Sequence, residues 1–80
     1  MKTVEREIER NGKKYIINIA IFEFQKNKNW IDFVIRDKNK NVIFEVNDLL
    51  CEGKPDIDKG INMGLDFLEK AFERTEKDSV

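Results

Sequence analysis

Residues 4–24 read VEREIERNGKKYIINIAIFEF, and the way this stretch turns back on itself decides the fold. Asn11-Gly12 stands at its centre. Both residues tolerate positive φ, so the pair predicts a two-residue type I′ hairpin turn. That turn sets Glu9 opposite Lys14, Ile8 opposite Tyr15 and Val4 opposite Ile19, one opposite-charge pair and two apolar pairs. Tyr15–Phe24 is apolar at both odd and even positions, the pattern of a central strand.

Outward from this hairpin, Lys26-Asn27-Lys28-Asn29 turns the chain into Trp30–Arg36. A turn centred on Asn27-Lys28 pairs Phe22 with Phe33, Phe24 with Ile31 and Ala20 with Ile35. Asp37-Lys38-Asn39-Lys40 reverses the chain again, and a turn centred on Lys38-Asn39 brings Ile35 to Val42 and Phe33 to Phe44. Both registers pair apolar with apolar, as a buried face requires. Asn47–Pro55 has no usable period and holds Gly53 and Pro55, which predicts a loop over 48–57. Asp56 or Asp58 then caps a helix over 58–77, in which Ile61, Leu65, Leu68 and Phe72 form an amphipathic stripe. Gly60 and Gly64 weaken its first turns and leave open a reading with Ile61–Met63 extended. The expectation is one α+β domain over residues 1–80: a four-stranded antiparallel meander over 3–47 with one C-terminal helix on one face.

Face assignment follows from these registers. One face collects Ile16, Ala20, Phe22, Phe24, Ile31, Phe33, Ile35, Val42, Phe44 and Val46, and the helix is expected to pack there. The opposite face carries Val4, Ile8, Tyr15, Ile17, Ile19, Ile21, Val34 and Ile43, with charged residues around them. One helix cannot cover both faces. Ile17, Ile19 and Ile21 are therefore expected to meet something else: a second copy, a bound ligand or polymer, or the 48–57 loop. Met63 and Phe67 lie off the main helix stripe and read either as packed under that loop or as a partner contact.

The 80 residues hold 15 basic and 16 acidic side chains and no histidine. Without histidine the chain lacks the usual general base, the Ser-His triads and histidine metal sites. Cys51 is flanked by Asp48 and Glu52, which disfavours a thiolate. Glu52, Asp56 and Asp58 lack the ligand spacing of a calcium loop. No enzyme activity, cofactor or metal is expected. No apolar run reaches the roughly 18 residues of a membrane span, and the start of the chain does not read as a signal peptide, so a cytoplasmic setting without a membrane partner is expected. A single cysteine agrees with a reducing compartment.

Charge is unevenly spread. Residues 1–47 hold 10 basic and 7 acidic side chains, whereas 48–80 hold 5 and 9. A meander brings its first and third turns to one end, gathering Lys13, Lys14, Lys38 and Lys40. Such a rim reads either as a phosphate-binding edge or as lysines that keep exposed turns soluble. With Arg6, Arg10, Arg36 and the aromatics Tyr15 and Trp30, it forms the candidate nucleic-acid site, where aromatic rings stack on bases.

The order strand-strand-strand-strand-helix, with Lys54-Pro55 before Lys59-Gly60-Ile61 and Leu65–Phe72 as a C-terminal helix, resembles small dimeric single-stranded-nucleic-acid-binding domains. These are the transcriptional coactivator type and the Pur-alpha repeat type. The resemblance covers about a quarter of the chain. It implies a homodimer that binds single-stranded DNA or RNA, and in the coactivator alignment Ile61–Met63 would be a strand. The leading expectation is thus a non-enzymatic homodimeric nucleic-acid-binding module. The alternative is a small protein-binding regulator, an inhibitor or adaptor of the kind encoded on mobile elements, acting through its helix or an exposed sheet face.

Overall fold

A computed structural model describes residues 1–78, with side chains described through Arg74. Four strands, β1 (Lys2–Arg10), β2 (Lys13–Gln25), β3 (Lys28–Arg36) and β4 (Val42–Glu52), precede one helix, α1 (Ile57–Asp78). The strands form one antiparallel sheet in the order β1-β2-β3-β4. The α+β meander with a C-terminal helix is as the sequence predicts.

The first hairpin has the predicted register, with Glu9 opposite Lys14, Ile8 opposite Tyr15 and Val4 opposite Ile19. Asn11 and Gly12 both hold positive φ, at 55° and 76°, as the turn type demands. The second hairpin differs. Its turn is Lys26-Asn27, with Asn27 at φ 61°, and the ladder slips at Phe24 between the Glu23 and Gln25 pairs. Ile21 therefore meets Ile31, Ile19 meets Phe33 and Ile17 meets Ile35, not the pairs Phe24–Ile31, Phe22–Phe33 and Ala20–Ile35. The offset is an odd number of residues, and an odd slip moves every β2 side chain to the other face relative to β3.

This slip reverses the expected cover. Tyr15, Ile17, Ile19 and Ile21 join Ile31, Phe33 and Ile35 beneath Ile61, Leu65 and Leu68 of α1, and together they are the core. Ile17, Ile19 and Ile21 are at most 2% exposed. They are not a dimer or ligand surface: the chain's own helix covers them. Conversely, Phe22 and Phe24 lie on the open face, and Val42 is also exposed. The third hairpin is shifted as well: Ile35 pairs with Phe44 and Phe33 with Val46, not with Val42 and Phe44. Because this shift is two residues, Phe44 and Val46 still pack against the core as expected. Ile43 also packs there, from the extra position where the ladder slips between the Ile35–Phe44 and Arg36–Val42 pairs.

The predicted loop is shorter than expected, because β4 continues to Glu52. Asn47-Asp48 form a bulge: Phe33 pairs with Val46 and Ile31 with Leu49, so two residues stand opposite Asp32 alone. Asp48 takes φ 59°, and its amide donates to Asp32 Oδ1 at 2.6 Å. The strand thereby passes through a polar segment and brings Leu49 and Cys51 against the core. Asn29 is buried opposite Cys51, and its Nδ2 donates to the Gly53 carbonyl at 2.8 Å.

The helix starts where an aspartate caps it. Asp56 Oδ1 accepts the Lys59 amide at 3.2 Å and its carbonyl takes the Gly60 amide at 3.0 Å. Ile61–Met63 are helical, not extended. Gly60 and Gly64 are contact points: a Cβ at Gly60 would strike Ile19 Cδ1, and one at Gly64 would lie 3.2 Å from both Ile17 Cδ1 and Phe33 Cδ2. The two glycines form a notch that lets the helix backbone rest on the isoleucine ladder.

Candidate interaction surface

Arg10 and Tyr15 serve the fold. Arg10 Nη2 lies 2.9 Å from Asp66 Oδ1 and Nε 3.3 Å from Glu69 Oε1, tying the end of β1 to α1. Tyr15 is a core residue. Lys13 sits with Nζ 5.6 Å from the centroid of the Phe72 ring, a cation–π contact that partly shields that aromatic. Arg6, opposite Ile17, is exposed on the helix-facing side of the edge strand. None of these four faces the open side of the sheet.

Lys14, Lys38, Lys40 and Arg36 do gather at one end of the open face. Arg36 Nη1 donates to Asn18 Oδ1 at 2.8 Å across β2 and β3. Lys40 shares a shallow cavity of about 460 Å³ with Arg36, Glu5 and Glu7. Lys38 and Lys14 share another, of about 300 Å³, with Glu7 and Glu9. The basic rim predicted from the turns therefore exists, but glutamates of β1 stand inside it.

Trp30 is at the opposite end. It pairs with Phe22 on one side and Leu50 on the other, so the three make one row across β2, β3 and β4. Phe24 stacks on Trp30 with ring centroids 5.0 Å apart and planes 20° from parallel. Phe22 is 48% exposed and Leu50 52%. Lys14 and Phe22 are separated along β2 by about 26 Å at roughly 3.3 Å per residue. The aromatic Trp30 and the cations predicted to act with it thus lie at opposite ends of the sheet.

Between these ends the open face is acidic. Its strand positions carry Glu5, Glu7, Glu9, Asp32, Glu45 and Glu52 against Lys14, Lys28 and Arg36. Ala20, Asn18 and Val34 leave its centre low.

The helix pair Met63 and Phe67 faces β4. Cys51 Sγ donates toward Met63 Sδ at 3.8 Å, and Phe67 stacks on Phe33 at 6.4 Å. Both line a groove of about 370 Å³ between α1 and β4, together with Leu49, Cys51 and Pro55. Burial pushes the Cys51 thiol above its ordinary pKa, with Lys59 opposing in part. The direction is the one expected from the sequence, but burial causes it in place of the neighbouring Asp48 and Glu52. Among the described residues no group of three or more His, Cys, Asp or Glu side chains is placed to hold a metal ion, and no helix is long and apolar enough to cross a membrane.

Phe22, Phe24 and Leu50 are surface residues that sequence reasoning misses. A signal for them is present in β1. Val4 and Ile8 alternate with Glu5, Glu7 and Glu9, and the hairpin register puts the three glutamates on the same face as Ile16, Asn18 and Ala20. No protein-family model, no curated protein and no solved structure matches this chain.

Proposed function

We propose that this protein is a non-enzymatic protein-binding module whose working surface is the open face of its sheet. The observation that carries the reading is the solvent-exposed row Phe22, Trp30 and Leu50, with Phe24 stacked beside it. Four such side chains, between 37% and 52% exposed, leave roughly 350 Å² of apolar surface in water, the size of the largest patch on a typical monomer. At about 25 cal/mol per Å² its burial is worth roughly 9 kcal/mol before association costs. Those costs are about 4–15 kcal/mol, so the patch anchors a partner and the surrounding charges decide whether it stays. The sheet edges favour face contact over strand addition. β1 carries Lys2, Glu5, Arg6, Glu7, Glu9 and Arg10, and bulges bend β4 at Ile43 and Asn47-Asp48.

The second reading, single-stranded nucleic acid on the aromatic row, has one observation in its favour. The Phe24–Trp30 stack adjoins the Lys26 and Lys28 turn, a combination suited to stacking bases. Against it, Asp32 and Glu52 flank the same row, and phosphate affinity scales with the cations supplied.

A photo-crosslinking side chain at position 50, compared with one at Lys70 on the helix exterior, tests the proposal in the cells that make the protein. The expected result is protease-sensitive, nuclease-resistant adducts at position 50 and none at 70. Nuclease-sensitive adducts, or equal adducts at both positions, would overturn it.

A further inference from the structure

We infer that the occupant of the open face is the same face of a second copy, stacked antiparallel about a two-fold axis through Val34. This rests on the protein-binding reading above and names its partner. The register of the sheet makes the face complementary to itself.

Taking the Asn18–Val34 row as the centre, a two-fold running across the strands exchanges each row with the one equally far on the other side. Arg36 then lies over Asp32 of the second copy, and Asp32 over its Arg36, since the two flank Val34 at equal distance on β3. On β2, Ile16 lies over the small Ala20 of the second copy, bulk against hollow. Lys38, which shares a cavity with Lys14 at the basic end, falls over Trp30 at the aromatic end, a cation–π arrangement. The basic rim of each copy thus meets the acidic aromatic end of the other.

Like charges oppose each other only at Glu5 and Glu45, on the rim strands, where water screens them. The other face-to-face two-fold, along the strands, sets Lys14 over Lys38 and Glu5 over Glu45 and has no compensating ion pair. Four strands about 4.8 Å apart and nine residues at roughly 3.3 Å give a contact plane of about 570 Å² per copy. Counted over both copies this exceeds the roughly 1,000 Å² a specific interface needs. Sheets stacked this way form an aligned sandwich with the helices outside.

Arg36 and Asp32 sit on one strand about 13 Å apart, so a strong coupling between them must come from two molecules. This gives a decisive experiment by sedimentation velocity from low to high micromolar protein, with circular dichroism to confirm folding. Wild type is expected to show a reversible monomer–dimer equilibrium. Asp32→Arg and Arg36→Asp alone are each expected to weaken it at least about tenfold, because each creates two like-charge contacts. An equimolar mixture of the two variants is expected to restore dimers as a 1:1 heterodimer. In that pair the arginine introduced in one chain meets the native arginine's replacement, an aspartate, in the other. Ala20→Arg, which removes no described hydrogen bond, is expected to give a monomer even if Asp32→Arg is poorly folded through loss of the Asp48 contact. A wild-type monomer at every concentration, or charge variants that fail to complement on mixing while both stay folded, would overturn the inference. If that monomer still yields adducts of another protein at position 50, the surface reading stands and only the second copy falls. If it yields none, both fall.

Discussion

Ile16 and Ile17 are neighbours of the same type on β2, and the fold assigns them opposite fates. Ile17 is fully buried, with Cδ1 lying 3.2 Å from where a Cβ on Gly64 would stand. Ile16 is half-buried on the open face beside Glu7. Ile17→Ala removes buried carbons directly beneath the helix, and such truncations cost about 2–5 kcal/mol through lost transfer and the cavity left behind. Ile16→Ala loses only part of that contact and leaves a void open to water, so its cost should stay below about 1 kcal/mol. A domain of this length has roughly 4–12 kcal/mol in total, so the first change removes a large fraction of it. With a urea m-value of about 1–2 kcal/mol/M, a loss of about 3 kcal/mol lowers the midpoint by roughly 1.5–3 M. Urea titration followed by Trp30 fluorescence and circular dichroism, at protein concentrations low enough to exclude association, measures both variants. Equal losses, or a larger one for Ile16→Ala, would refute the face assignment and with it the location of the interaction surface.

Other outcomes follow from contacts already described. Gly60→Ala should destabilise by about 1 kcal/mol in a thermal melt, because overpacking Ile19 outweighs the roughly 1 kcal/mol gained in helix propensity. Gly64→Ala, whose tightest neighbours stand at 3.2 Å, should be close to neutral in the same melt. Arg10→Ala should cost about 0.5–1 kcal/mol through the lost Asp66 and Glu69 contacts, and raising the salt should shrink the difference from wild type. The Cys51 thiol is raised by burial, so the folded state holds the proton more tightly than the unfolded chain. That contribution is present below the ordinary thiol pKa and fades above it. Stability of wild type relative to Cys51→Ala should therefore fall as pH rises past about 9, read by urea midpoints across that range.

The first hairpin is legible because Asn11-Gly12 allows one turn geometry and hence one register. The second is not, for a physical reason. Every position from Tyr15 to Phe22 except Asn18 is apolar, so a register with Ile21 on Ile31 and one with Phe24 on Ile31 both pair apolar with apolar. Hydrophobic matching cannot distinguish them, and the Phe24 bulge, which shifts the turn to Lys26-Asn27, leaves no compositional mark. The three glutamates of β1 carry the missing information, since burying Glu5, Glu7 and Glu9 under a helix is prohibitive. The extension of β4 is hidden by Asp48, a poor strand residue that here serves as a bulge. The candidate site inherits these errors. Its turn lysines and Arg36 belong at the expected end of the sheet, but Tyr15 and Arg10 go to the helix side, and Phe22 and Leu50 emerge from a supposed core and a supposed loop.

The position of the helix after the strands has a consequence for synthesis on the ribosome. All four strands are made before α1, and 26 residues separate the end of β4 from the end of the helix. At about 5–20 residues per second, roughly 1–5 s pass in which the completed meander has no helix to cover the Ile17–Ile21 ladder. During that interval the isoleucine ladder is bare on one face and the Phe22, Trp30 and Leu50 row is exposed on the other, and the nascent strands are a substrate for chaperones or for their own neighbours on a polysome. Codon choice across residues 53–78 is therefore a lever on the yield of folded protein, independent of the stability the finished domain attains.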